Sequence, residues 1–213
     1  LLLLLCFVIV MVSYAKLKQF IIRQVKSFLY VSTRRISISE TSNELRFQIF
    51  MILLTCLLWA LLQYFYTIQY ISTTFILQSQ YHLIAVYFAM NVGYFLLKYL
   101  LYSSVNAVFF DKKNNLHWIK SFYFVTSVEG AMIFPAVMLQ SYFDVSFQDV
   151  SIYAISVVIF VKLLTFYKSY TIFFRRIHFF FQIILYFCAL EAVPIAAFLG
   201  ALAITGNYLK INF

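Results

Sequence analysis

The chain has 213 residues, of which 64% are hydrophobic, 21% aromatic and only 11% charged, with a mean hydropathy of +0.92. Soluble domains carry about 25% charged and roughly 45–50% apolar residues, so a water-soluble enzyme is excluded and the bilayer is the expected solvent. Sixteen Lys and Arg against seven Asp and Glu leave a net charge of +9, which in a membrane protein is tested as a topology signal before nucleic-acid binding.

The chain opens on LLLLLCFVIVMVSYA, residues 1–15. This run falls short of the about 20 residues of a full span. No small-residue cleavage site follows it, so it reads as the end of a first transmembrane helix rather than a signal peptide. From Lys16 to Val31, Leu17, Phe20, Ile21, Val25, Phe28 and Leu29 recur at helical spacing, with Lys18, Arg23 and Lys26 between them. Such a basic amphipathic helix suits the headgroup layer of an anionic leaflet, with those three bases on lipid headgroups. The other reading continues the first helix out of the membrane. Residues 33–43 form a Ser/Thr-rich linker, and Thr41-Ser42-Asn43-Glu44 offers a helix cap.

Five further apolar stretches follow, at residues 47–71, 81–102, 119–143, 151–173 and 179–206. Each is long enough to cross a 30 Å hydrocarbon core as a helix. They are continuous rather than alternating, which excludes a membrane β-barrel. Their connections alternate in charge. Lys16, Lys18, Arg23, Lys26, Arg34, Arg35 and Arg46 precede the first of the five; Lys112, Lys113 and Lys120 mark the next basic connection, and Lys168, Arg175 and Arg176 the third. The loops between carry no base. Thirteen of the sixteen bases therefore fall on one side, the cytoplasmic one by the positive-inside rule. The expectation is an all-α polytopic transmembrane helix bundle. It has six spans and an amphipathic cytoplasmic helix in a single membrane domain covering 1–213. Residues 16–46, 111–118 and 174–178 are cytoplasmic, and the C-terminus lies outside.

Soluble-enzyme motifs are missing: no Gly-rich phosphate loop, HExxH, GxSxG or CxxC occurs. His82, His117 and His178 sit at expected membrane boundaries, and Cys6, Cys56 and Cys188 lie far apart in apolar runs as small buried hydrophobes. No enzyme activity, metal or cofactor is expected. What stands out is charge inside the helices, which costs at least about 2.5–3.5 kcal/mol per group and normally faces a bundle interior or a watery cavity. Lys98, Glu129, Lys162 and Glu191 qualify, with Lys98 near enough to the cytoplasmic end to snorkel. Tyr87, Asn91, Tyr94, Lys98 and Tyr102 are spaced four, three, four and four, which aligns them on one face. Lys162, Thr165 and Ser169, and Glu129 with Gln140, repeat the pattern on two other helices. Two acids and two bases suggest buried pairs that fix helix register; the functional counterpart is a proton or ion pathway. Pro194 cannot donate to the Leu190 carbonyl and is expected to kink the last helix beside Glu191, and Pro135 to act likewise near Glu129.

Residues 186–194, YFCALEAVP, resemble the closing LYxCxLExxP pattern of an uncharacterised Bacteroidetes membrane family, domain of unknown function 4271. Leu97-Lys98-Tyr99-Leu100-Leu101-Tyr102 is similar to its LKxxLY segment, and residues 118–139 also fit. The resemblance covers roughly residues 46–206 and matches Lys98, Glu191 and Pro194. It implies several helices in a bacterial inner membrane and brings no activity.

The functional expectation is a non-enzymatic inner-membrane subunit of a larger cell-envelope complex, in secretion or envelope assembly. Its partners are lipid and other membrane subunits, not nucleic acid. The alternatives are a small proton- or ion-coupled transporter using Glu129, Lys162 and Glu191, and an accessory subunit of a respiratory complex.

Overall fold

The computed structural model describes residues 42–70, 80–109, 112–143, 145–174 and 185–209. Every regular element among them is helical. We number them α1 (Ser42–Tyr70), α2 (Gln80–Phe109), α3 (Lys112–Tyr142), α4 (Phe147–Ser169) and α5 (Val193–Leu209). A π turn, Tyr170–Phe174, prolongs α4, and a second, Cys188–Ala192, leads into α5. Among the described residues, five helices are long and apolar enough to span a membrane: Arg46–Tyr70, Tyr81–Val108, Asn114–Tyr142, Phe147–Ile172 and Leu185–Thr205. Helices are what lipid allows, because each backbone group finds its partner within the segment. The expected first span at residues 1–15 and the amphipathic helix with Lys18, Arg23 and Lys26 lie outside the described residues.

Several helix ends lie beyond the expected apolar stretches. Residues 111–118 read as a cytoplasmic loop, yet α3 begins at Lys112, and α2 runs on to Phe109 rather than stopping at Tyr102. Hydropathy falls away at Ser103, Ser104 and the Lys112-Lys113-Asn114-Asn115 run, but helical hydrogen bonding needs only backbone and continues past the apolar stretch. At the opposite end α4 starts where Ser146 caps it. The serine hydroxyl accepts from the Asp149 N–H at 3.3 Å and donates to the Asp149 carboxylate at 2.8 Å.

The apolar core lies between α1, α3 and α4. Leu54, Leu58 and Leu62 of α1 meet Val125, Ile133 and Val137 of α3 and Val150, Val157 and Val161 of α4. Helices α1 and α3 run in the same direction and touch almost backbone to backbone. The Thr55 hydroxyl donates to its own Met51 carbonyl at 2.8 Å and lies 3.2 Å from the Thr126 carbonyl. Gly130 makes that approach possible: a Cβ there would collide with the Thr55 side chain. Small residues at helix contacts are the usual basis of association in lipid, where no hydrophobic effect pulls helices together. Helices α1 and α2 are antiparallel. Gln63 faces Asn91 through reciprocal amide hydrogen bonds (2.8 Å for the Asn91 donor), and Thr67 faces the Tyr87 hydroxyl at 2.9 Å.

Gly130→Ala should lower thermal stability in detergent by an amount equivalent to about 1–3 kcal/mol, the usual cost of overpacking. Adding Thr55→Ala should restore most of it. A Gly130→Ala protein melting with the wild type would show that α1 and α3 separate here without cost.

Candidate functional site: a buried charge cluster on α2

Proline creates the geometry of the site. Pro194 has no N–H, so it cannot bond the carbonyl of Leu190 four residues back, and the preceding turn widens: Val193 N–H reaches back to Cys188. Glu191 sits in this π turn and points into the bundle. Pro135 has a different setting, exposed within α3, which stays helical from Lys112 to Tyr142. In the turn before it, the Tyr153 hydroxyl of α4 donates to the Met132 carbonyl at 2.8 Å.

Three helices meet on the Glu191 carboxylate. Lys98 of α2 lies 2.8 Å from Oε1, Lys162 of α4 lies 2.5 Å from Oε2, and the Tyr102 hydroxyl of α2 donates to Oε1 at 2.6 Å. The side chains of Glu191 and Lys98 are 2% and 6% exposed, and that of Lys162 is 22% exposed. Lys98 therefore does not snorkel toward the headgroups; its ammonium turns inward to the carboxylate, 5.6 Å from the Phe122 ring centre and 5.9 Å from that of Tyr102. Tyr94 lies beside Lys162 from the same face of α2. Water screens little at such depth, so a carboxylate held by two ammonium groups and a phenol is a strong local constraint.

Glu129 has a different partner. Its carboxylate accepts from the indole N–H of Trp59 at 2.9 Å, tying α3 to α1, and it lies within electrostatic reach of Lys162 and Lys98. The four membrane charges thus occupy one region, with Glu191 directly paired and Glu129 held by a neutral donor. Thr165 and Ser169 are buried, but each hydroxyl bonds back to its own helix, at Val161 and Thr165. Gln140 does not join Glu129; its Oε1 is buried with no hydrogen-bond partner among the described residues. Cys56 is buried, whereas Cys188 is exposed, because the π turn that directs Glu191 inward leaves it on the outer surface.

Two participants escape sequence reasoning. Asn106 extends the α2 stripe by one more step of four, and its Oδ1 accepts from the Tyr186 hydroxyl at 2.6 Å; it falls beyond the expected end of the span. Trp59 had no signal, since an indole in an apolar run is ordinary until an acid is found against it.

A family model described as Domain of unknown function (DUF4271) matches residues 1–202. The chain belongs to this family. No curated protein and no solved structure matches it. In this member of the DUF4271 family, the Lys98, Glu191 and Pro194 pattern is thus one physical unit: the proline shapes the turn, the turn presents the acid, and the lysine meets it.

Glu191→Ala leaves two lysines without their shared carboxylate and should cost about 3–5 kcal/mol, the usual result of stranding a buried charge. Lys98→Met leaves the Lys162 pair in place and should cost less. Melting temperatures in detergent should fall in the order wild type, Lys98→Met, Glu191→Ala; three equal values would remove the cluster from the forces holding the helices together.

Proposed function

We propose that the protein is a non-enzymatic subunit of a larger inner-membrane assembly of the cell envelope, with secretion or envelope assembly as its setting. Six spans, basic loops toward the cytoplasm and a C-terminus on the periplasmic side complete this reading, with Lys18, Arg23 and Lys26 on anionic headgroups. The observation that supports it is the outer face of the last span. Ala189, Ala192, Ala196, Gly200 and Ala203 recur at intervals of three or four and are all exposed, and this span is the least buried of the five. Lipid makes no demand for small residues. A partner helix does, because small side chains let backbones approach closely.

Gly200 gives a clean test, because nothing lies within 4 Å of the place a Cβ would occupy. Gly200→Leu should leave membrane abundance and melting unchanged, yet release a second polypeptide that otherwise co-purifies in mild detergent at fixed stoichiometry. A wild-type particle containing one chain and no other polypeptide would overturn the reading. So would a cross-link from Ala196→Cys that reaches only residues 1–15 of the same chain.

A further inference from the structure

The polar face of α2 extends well beyond the charge cluster. Tyr87, Asn91, Tyr94, Lys98, Tyr102 and Asn106 each meet a polar group from another helix: Thr67 and Gln63 of α1, Lys162 of α4, then Glu191 twice and Tyr186. Tyr87 to Asn106 is a rise of about 28 Å at 1.5 Å per residue, close to the roughly 30 Å of a hydrocarbon core. A few polar pairs are enough to fix helix register, so register alone does not call for a set that runs from one face to the other. A polar group at every turn of α2 across that thickness is what a transferred proton requires.

The ends of this column differ. Thr67 and Tyr87 lie near the ends of their helices. At the other end, carrying the α1–α2 register down about four turns puts Gln48 opposite Asn106. Both Gln48 amide atoms and Asn106 Nδ2 are buried with no hydrogen-bond partner among the described residues. Water entering from the basic end would satisfy them.

We propose that this column carries protons across the bilayer, with Glu129 as the group that alternately holds and releases the proton. Glu191 is unsuited to that role, because Lys98, Lys162 and the Tyr102 hydroxyl already occupy its carboxylate. Among the described residues, the group hydrogen-bonded to the Glu129 carboxylate is the neutral indole of Trp59, with Lys162 and Lys98 acting on it through space. The titratable and charged groups around it are Cys56 from α1, Tyr94 and Lys98 from α2, Lys162 from α4 and Glu191 from the turn before α5. With Glu129 ionised, Lys98, Lys162, Glu129 and Glu191 sum to zero; with it protonated they carry one positive charge. Lys162, the least enclosed of the paired groups, stays on Glu191 while lying within electrostatic reach of Glu129, so its charge favours the acid's release of the proton. The hydroxyls of Thr67, Tyr87, Tyr94, Tyr102 and Tyr186 can each donate and accept, and the amides can bridge to water between them. A proton taken from water at one face leaves to water at the other, driven by the potential or pH difference, and no electron moves.

The test is proton uptake by the full chain in proteoliposomes with a trapped pH indicator and a potassium diffusion potential. Uptake should exceed that of protein-free vesicles. Glu129→Gln, which keeps the size and an oxygen for Trp59, should reduce it to the protein-free level while melting with the wild type; Glu129→Asp should retain measurable uptake. Ile159→Leu, on the exposed face of α4, should change nothing. Wild-type uptake equal to that of empty vesicles overturns the proposal, and so does undiminished uptake by Glu129→Gln. Should Glu129→Gln melt early, equal loss in Glu129→Asp also overturns it. These outcomes are independent of partner co-purification, so this proposal and the subunit reading fail separately.

Discussion

The bundle depends on one carboxylate. Glu191 is almost entirely enclosed and accepts from Lys98, Tyr102 and Lys162, so a single side chain sets the relative position of α2, α4 and the turn before α5. The penalty for burying a charge in lipid is what gives this contact authority. An arrangement that left any of the three ions without its partner would cost several kcal/mol, whereas displaced apolar side chains would exchange one hydrocarbon contact for another. The constraint begins in the backbone: without the widened turn before Pro194, the acid would be carried on a different face of the helix.

Around that contact the helices associate in two distinct ways. Between α1, α3 and α4 the contact is dry, built from Leu and Val side chains and from the approach of Thr55 to Gly130. Between α2 and its neighbours the apolar contacts are joined by a ladder of amides, hydroxyls and charges. Trp59 and Glu129 join the two modes, since the indole belongs to the dry interface and the acid faces the polar one. The division makes physical sense in lipid. Dry packing supplies close contact without specificity of register, and polar pairs specify register at a cost in desolvation.

The helical architecture was legible because hydropathy and length are properties of consecutive residues. The five described spans fall where continuous apolar runs predict them, and where an end moves outward, as at Lys112 and Phe109, the helix continues past its apolar stretch. The α2 stripe was legible for a related reason: spacing of three and four is geometry internal to one helix. Asn106 belongs to the same stripe and was lost only with the misplaced helix end.

Pairing between helices is a different kind of information. The sequence by itself determined that Glu129, Lys162 and Glu191 must find partners inside the membrane, because isolated charges there are too costly, and left Lys98 to join them or to snorkel. Only the tertiary structure decided that Glu191 takes both lysines while Glu129 takes Trp59, that Lys98 turns inward, and that Cys188 faces outward. Those choices depend on the rotation and depth of each helix about its neighbours. They are set by the Gly130 contact, the widened turn at Glu191 and the packing of residues far apart in the chain.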